Sequence, residues 1–372
     1  MSSPSQRLTQ ASGRPESGAL LEVEDLHTAF RTPRGRVRAV DGVTFSLDRG
    51  RALGIVGESG SGKTVLARTI MGLLVGRNVE RTGSVRFEGM ELLDRPASDM
   101  RDLWGREMAM IFQDPMTSLN PLMRIGKQIT EPLRAHLGLS RGDAMATAES
   151  LLRDVRIPEA ARRLRQYPHE LSGGMRQRVM IAIAMACGPT LLFADEPTTA
   201  LDVTVQSQIL DLIGEQRRER NMSVILVTHD LGVVAGHTDD IAVMYGGRLV
   251  EKASTVELFA NMKMPYTEAL LASIPKLEEP SHSRLRTILG RPPDLVNPPA
   301  GCRFAPRCLY VRDRCRTEEP PLLPAEVPGH VFACWYPVGS PEYHERKAEL
   351  AAGGVAVPVE VGAGGIDAGV SA

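Results

Sequence analysis

Eight consecutive residues, Gly57-Glu58-Ser59-Gly60-Ser61-Gly62-Lys63-Thr64, fit the pattern G-x-x-x-x-G-K-[ST] at every position. The chemistry such a run can do is phosphate binding. Glycines let the backbone wrap a chain of phosphates, and successive N–H groups at a helix N-terminus donate to anionic oxygens. Lys63 adds a full positive charge for the outer phosphates, and the Thr64 hydroxyl can ligate Mg²⁺. Val65 follows directly and belongs to the same nucleotide contact.

A second chemical element is Leu191-Leu192-Phe193-Ala194-Asp195-Glu196, an apolar run ending in two acids. Asp195 is placed to hold Mg²⁺, directly or through water, and Glu196 to orient or deprotonate an attacking water. Alone, two acids after an apolar strand form a solvated strand end. Beside a phosphate loop they point to hydrolysis of a nucleotide. Leu171-Ser172-Gly173-Gly174-Met175-Arg176-Gln177-Arg178 begins another helix behind glycines, with Ser172 as its N-cap, and so offers a second anion site.

These residues need strands and helices to hold them. Arg51–Val56 reads as a buried strand leading into the glycine-rich loop, and Thr64–Leu74 as the apolar helix after it. Val37-Ala39-Val40 followed by Val43-Phe45-Leu47 reads as an antiparallel pair. Residues 114 to 186 read as mainly helical, clearest over Met145–Leu152 and Met175–Ala186. Val224–Val227 is a further buried strand, and Ile241–Tyr245 with Gly246-Gly247 enters a hairpin. Strands alternating with helices indicate an α/β fold with a parallel sheet. The expected organisation is a disordered segment over 1–19, a nucleotide-binding domain over 20–260 with a helical subdomain at about 114–186, a proline-punctuated extension over 261–338, and a flexible Ala/Gly/Val tail over 339–372.

Composition excludes other classes. The net charge of -1 gives no support for a nucleic-acid partner. The longest uncharged run, Val179–Ala194, is broken by Gly188-Pro189 and is too short for a span of ~20 residues. Residues Met1–Gly18 lack the apolar centre of a secretion signal. A cytoplasmic address is the expectation.

The segment 171–178 closely resembles the signature motif of ATP-binding cassette (ABC) proteins. That resemblance implies a P-loop NTPase (RecA-like) core with an antiparallel β subdomain and an inserted helical subdomain. It also implies a head-to-tail pair of cassettes, in which Ser172, Gly173, Gly174 and Met175 of one cover the ATP held by the other. By the same resemblance Gln113 senses Mg²⁺ and Asp202, in Ala200-Leu201-Asp202, crosses the pair's interface. His229 contacts the γ-phosphate, and Phe30 stacks on adenine. Glu196, Gln113 and His229 form the implied catalytic set, with Mg²⁺ at Thr64, Gln113 and Asp195.

Three stretches of the extension, Pro265–Leu271, Gly290–Leu295 and Cys302–Cys308, resemble the C-terminal region of oligopeptide and dipeptide importer ATPases, as does Asp114–Pro121. The resemblance implies ATP hydrolysis that drives import at the cytoplasmic face of the membrane. The implied partners are a homologous ATPase subunit in a heterodimer, two transmembrane permease subunits and, indirectly, an extracytoplasmic peptide-binding protein. Nickel and glutathione importers share these motifs. A non-transport ABC ATPase is disfavoured, because this chain has neither a long coiled coil between its motifs nor a second cassette. The group also associates Cys302, Cys308, Cys315 and Cys334 with a [4Fe–4S] cluster; by thiolate chemistry Zn²⁺ is the alternative. Cys187, alone in an apolar segment, reads as a small core residue.

Overall fold

The computed structural model describes residues 18–114, 118–198, 203–274 and 288–354. Among the described residues, twelve strands form two sheets. In chain order they are β1 (Ala19–Thr32), β2 (Gly35–Asp48), β3 (Ala52–Val56), β4 (Val79–Phe87), β5 (Met90–Glu91) and β6 (Met108–Ile111). They continue as β7 (Leu191–Asp195), β8 (Ser223–Thr228), β9 (Asp240–Tyr245), β10 (Arg248–Ser254), β11 (Leu323–Pro324) and β12 (Val331–Phe332). The smaller sheet runs β2-β1-β4-β5 and the larger β11-β12-β10-β9-β3-β8-β7-β6. Strands β9, β3, β8, β7 and β6 pair in parallel, and their residues are almost all buried, as strands covered on both faces must be.

The segments 37–40 and 43–47 do not pair with each other. They are two halves of the single strand β2, and both pair with β1. The register skips Gly42 between Leu26↔Val43 and His27↔Asp41. Gly42 has φ +77, a left-handed conformation that lets a β-bulge absorb the extra residue without ending the strand. A glycine between two alternating apolar runs therefore marks a bulge here and not a turn.

The middle of the chain is helical, over Ile125–Leu137, Arg141–Asp154, Ala160–Arg163 and Gly173–Ala184. Ile125, Ile129 and Leu133, spaced by four, are fully buried against Ala144, Ala148 and Leu152 of the next helix in one hydrophobic cluster. Ser140 caps that helix by accepting from the Asp143 N–H.

The proline-rich extension is built onto the core. Strand β12 pairs antiparallel with β10 (Glu251↔Phe332, Lys252↔Val331), so the large sheet continues into it. Tyr266 and Phe304 of the extension meet Tyr245 of β9, with ring centroids 4.5–5.3 Å apart. The tail expected from residue 339 is in part a helix, Pro341–Ala352, capped by Ser340. Its Tyr343 is 1% exposed, packs on Tyr310 and donates to the buried Glu268 carboxylate. Arg312 also donates to the Glu342 carbonyl and pairs with Glu345, so the helix is held by one buried aromatic and one arginine, which composition does not register. Residues 1–17 and 355–372 lie outside the described residues. Among the described residues no helix is long and apolar enough to cross a membrane.

Candidate functional site

Four adjacent parallel strands end at one place. Strand β3 runs into the loop 57–64, β8 ends at Thr228 before His229, β7 ends at Asp195 before Glu196, and Gln113 lies two residues past β6. The carboxyl edge of a parallel sheet is where such folds hold ligands, because loops and helix N-termini converge there.

The phosphate loop closes tightly on the core. A Cβ at Gly57 would stand 2.1 Å from the Met244 carbonyl oxygen, so only glycine fits. Lys63 lies at the start of helix Lys63–Ile70, is 4% exposed, and donates from Nζ to the carbonyls of Gly57 (2.7 Å) and Glu58 (3.0 Å). Ser59 and Gly60 are exposed at the tip, whereas the Ser61 hydroxyl is buried without a partner among the described residues. Gly62 precedes the helix as its N-cap, and Val65 is partly buried against the core.

Thr64 Oγ1 donates to Asp195 Oδ1 at 2.9 Å. Asp195 is fully buried, and its other oxygen, Oδ2, has no described partner. An orphaned buried carboxylate oxygen beside a hydroxyl suits a hard cation, and the residues therefore fit Mg²⁺. Burial raises the Asp195 carboxyl above its ordinary range, with the Thr64 hydrogen bond and Arg68 opposing it. Burial likewise lowers Lys63, against the pull of Glu196, Asp195 and Glu58. In each case burial disfavours the charged form of the group.

Glu196 is held from both sides. Gln113 Nε2 donates to Glu196 Oε2 at 2.9 Å, and His229 Nδ1 lies 3.5 Å from Glu196 Oε1. Its backbone occupies the left-handed region, φ +46, which costs a non-glycine residue energy; its N–H is meanwhile fixed to the Val227 carbonyl at 2.8 Å. The strand-end geometry thus aims the carboxylate between Gln113 and His229.

The remaining expected residues stand apart from this cluster. Phe30 lies on the smaller sheet, half-buried and paired in the backbone with Val37 and Val79. Ser172 and Gly173 are exposed, Gly174 and Met175 are half-buried, and Ser172 caps its own helix by accepting from the Met175 N–H. Asp202, with Ala200 and Leu201, lies outside the described residues, as do Pro115–Thr117.

Two neighbours of the site were missed in the sequence. Tyr266 OH accepts the Glu58 N–H at 2.9 Å, and Arg307 forms an ion pair with the Glu58 carboxylate. No local spacing links position 58 to partners more than 200 residues away.

The iron–sulfur expectation is corrected. Among the described residues no group of three or more His, Cys, Asp or Glu side chains is placed to hold a metal ion, a [4Fe–4S] cluster or zinc alike. Cys302, Cys308, Cys315 and Cys334 line one apolar cavity of about 20 Å³, room for scarcely more than a water molecule. Burial pushes the Cys302 thiol up to about 11 and the Cys308 thiol up to about 12, so at neutral pH both stay protonated in this packing. Cys315 is buried and Cys302, Cys308 and Cys334 are half-buried among the apolar side chains lining this cavity.

Residues 40–199 match the ABC transporter family, and residues 250–315 match the oligopeptide/dipeptide transporter C-terminal region. The chain is 49% identical over 322 residues to the oligopeptide transport ATP-binding protein OppD of Salmonella typhimurium, covering 87% of this chain and 95% of that one. It is 48% identical over 317 residues to the dipeptide transport ATP-binding protein DppD of Lactococcus lactis subsp. cremoris, covering 85% and 90%. A dimeric ATP-binding cassette in a post-hydrolysis state, bound to ADP and Pi, shares the fold: TM-score 0.58, 24% identity, 63% of this chain and 98% of that chain. With its nucleotide-binding geometry, its cassette fold and near-half identity along most of its length, the chain belongs to the ATP-binding subunits of oligopeptide and dipeptide ABC transporters.

Proposed function

We propose that the chain hydrolyses ATP to power import of di- and oligopeptides through a membrane permease. The observation that carries this reading is the array Thr64–Asp195 and Gln113–Glu196–His229 at the ends of four adjacent strands. The phosphate loop and Lys63 bind the polyphosphate, and Lys63 exchanges its two carbonyl acceptors for phosphate oxygens. Thr64 and Asp195 would hold Mg²⁺, which would supply positive charge to those oxygens. Gln113 and His229 orient the Glu196 carboxylate, which takes a proton from the attacking water. Phe30 is assigned to the adenine ring.

The reading extends to an assembly. Ser172 caps the helix Gly173–Ala184, and its exposed first residue, Gly173, lies at the helix N-terminus facing solvent, where it can meet nucleotide on a homologous partner subunit. Asp202 is assigned to the contact of that pair. Phe112 (39% exposed) and Leu122 (86% exposed) flank the Gln113 segment with apolar surface, which suits contact with two transmembrane permease subunits at the cytoplasmic face. An extracytoplasmic peptide-binding protein delivers cargo to those subunits.

The test is transport by the complete complex in vesicles. Labelled tri- to pentapeptides should accumulate only with ATP, and peptide should stimulate turnover. Accumulation of nickel or glutathione instead of peptide would reject the cargo class.

A further inference from the structure

The extension is tied to the phosphate loop by one side chain whose hydrogen-bonding capacity is completely used. A guanidinium has five N–H donors in a fixed planar fork. In Arg307 each of them has an acceptor. Nε donates to the Leu289 carbonyl at 2.9 Å, and Nη2 donates to the Ile288 carbonyl at 3.1 Å and to Glu58 Oε1 at 2.9 Å. Nη1 donates to Glu58 Oε2 and to the Tyr245 hydroxyl at 3.2 Å. The Arg307 side chain is 3% exposed. This is a built socket, whereas the exposed ion pairs of the same extension, such as Arg314–Glu318, are solvated.

Its target is the second residue of the phosphate loop. Glu58 is gripped at three points: the carboxylate by Arg307, the N–H by the Tyr266 hydroxyl, and the carbonyl by Lys63. Arg307 ends a short helical turn, Ala305–Arg307, and two residues before that turn Arg303 donates to the Gly246 carbonyl and to Asp41. The Gly247 N–H in turn bonds the Ser61 carbonyl at 3.0 Å. Two arginines of the extension thus hold the phosphate-cradling loop, Arg307 at Glu58 directly and Arg303 at Ser61 through Gly246-Gly247.

We propose that Arg307 is a positioning residue for ATP binding, acting through Glu58 to hold the phosphate loop in its receptive shape. This rests on the phosphate-loop assignment made above. Without Arg307, Glu58 keeps its charge but loses its fixed partner, and the loop must be ordered at the moment of binding. Affinity for nucleotide falls accordingly. Glycines at the tip of the loop supply no stiffness of their own, so the grip has to come from elsewhere in the fold.

The test is a double-mutant cycle on the full chain, reading the Kd for ATP with Mg²⁺. Arg307→Ala and Glu58→Ala should each raise the Kd about tenfold, and the double variant no further than the larger single effect. Arg314→Ala, which breaks an exposed pair of the same extension, should leave the Kd within about twofold. The proposal is overturned if Arg307→Ala leaves the Kd within about twofold, or if its effect persists in full in the Glu58→Ala background. Should Arg307→Ala fail to fold, Glu58→Gln removes the charge while keeping the shape, and an unchanged Kd there overturns the proposal equally. Lys63→Ala separates this idea from the assignment beneath it: if that variant still binds ATP normally, the phosphate-loop reading fails, whatever Arg307 does.

Discussion

At the scale of single residues, two carboxylates at the end of β7 have divided environments. Asp195 is sealed in, bonded to Thr64 through one oxygen and carrying the other without a described partner. Glu196 follows it in a strained backbone conformation that turns its side chain out to Gln113 and His229. Asp195→Asn removes the negative charge but keeps the size, so the Mg²⁺ concentration needed for half-maximal turnover should rise about 10–100-fold. A magnesium titration of turnover checks this; an unchanged requirement would place the cation elsewhere. Asp195 and Glu196 were legible in the sequence because a buried apolar run ends in two acids, whereas Gln113 and His229 were named only through the family resemblance. Tyr266 and Arg307 were not legible, because their meaning lies in contacts across the fold with Glu58. The four cysteines failed in the opposite way. Their clustering in the sequence suggested ligands, but in the folded chain burial among apolar neighbours raises the Cys302 and Cys308 thiols, and the cavity the four line has room for scarcely more than a water molecule.

At the scale of elements, strand β10 and helix Thr255–Asn261 enclose a histidine from the extension. His330 is buried, with Nε2 3.0 Å from Glu251 and Nδ1 3.3 Å from Glu257; Lys263 and Glu326 are the other charged groups beside it. Burial opposes its charge, but the two glutamates outweigh that and raise it above the ordinary value of 6.5. A raised folded-state value means the charged histidine stabilises the fold fully below about 6.5, and this contribution disappears as pH climbs through the higher folded value. His330→Gln should therefore destabilise the protein more at pH 6 than at pH 9, as read by urea unfolding of both proteins. An equal loss at both values would show that the ring acts only by packing. This cluster was not legible in the sequence, since a lone histidine after Pro328-Gly329 carries no periodic signal. The parallel strands, in contrast, were readable as uninterrupted apolar runs, and the bulge at Gly42 was misread because a glycine between apolar runs fits a turn equally well.

At the scale of the whole molecule, the extension and the nucleotide-binding core share a sheet, an aromatic cluster and two buried arginine contacts. The helix Pro341–Ala352 closes over this junction through Tyr343, whose ring packs on Tyr310 and whose hydroxyl bonds Glu268. Tyr343→Ala removes a buried aromatic ring and a donor to a buried carboxylate, and should cost about 3–5 kcal/mol of stability. Chemical denaturation measures it; a loss under about 1 kcal/mol would show that this helix is an appendage and not part of the fold.

The proposed mechanism turns on one carboxylate. Glu196→Gln keeps the shape of the side chain and its contact with Gln113 but cannot take a proton from water. The most direct test is to measure ATP binding and ATP turnover of this variant in the assembled transporter. The expected result is near-normal ATP binding with turnover reduced at least about 100-fold. Turnover within about twofold of the parent protein would contradict the assignment of Glu196 as the base and, with it, the proposed mechanism.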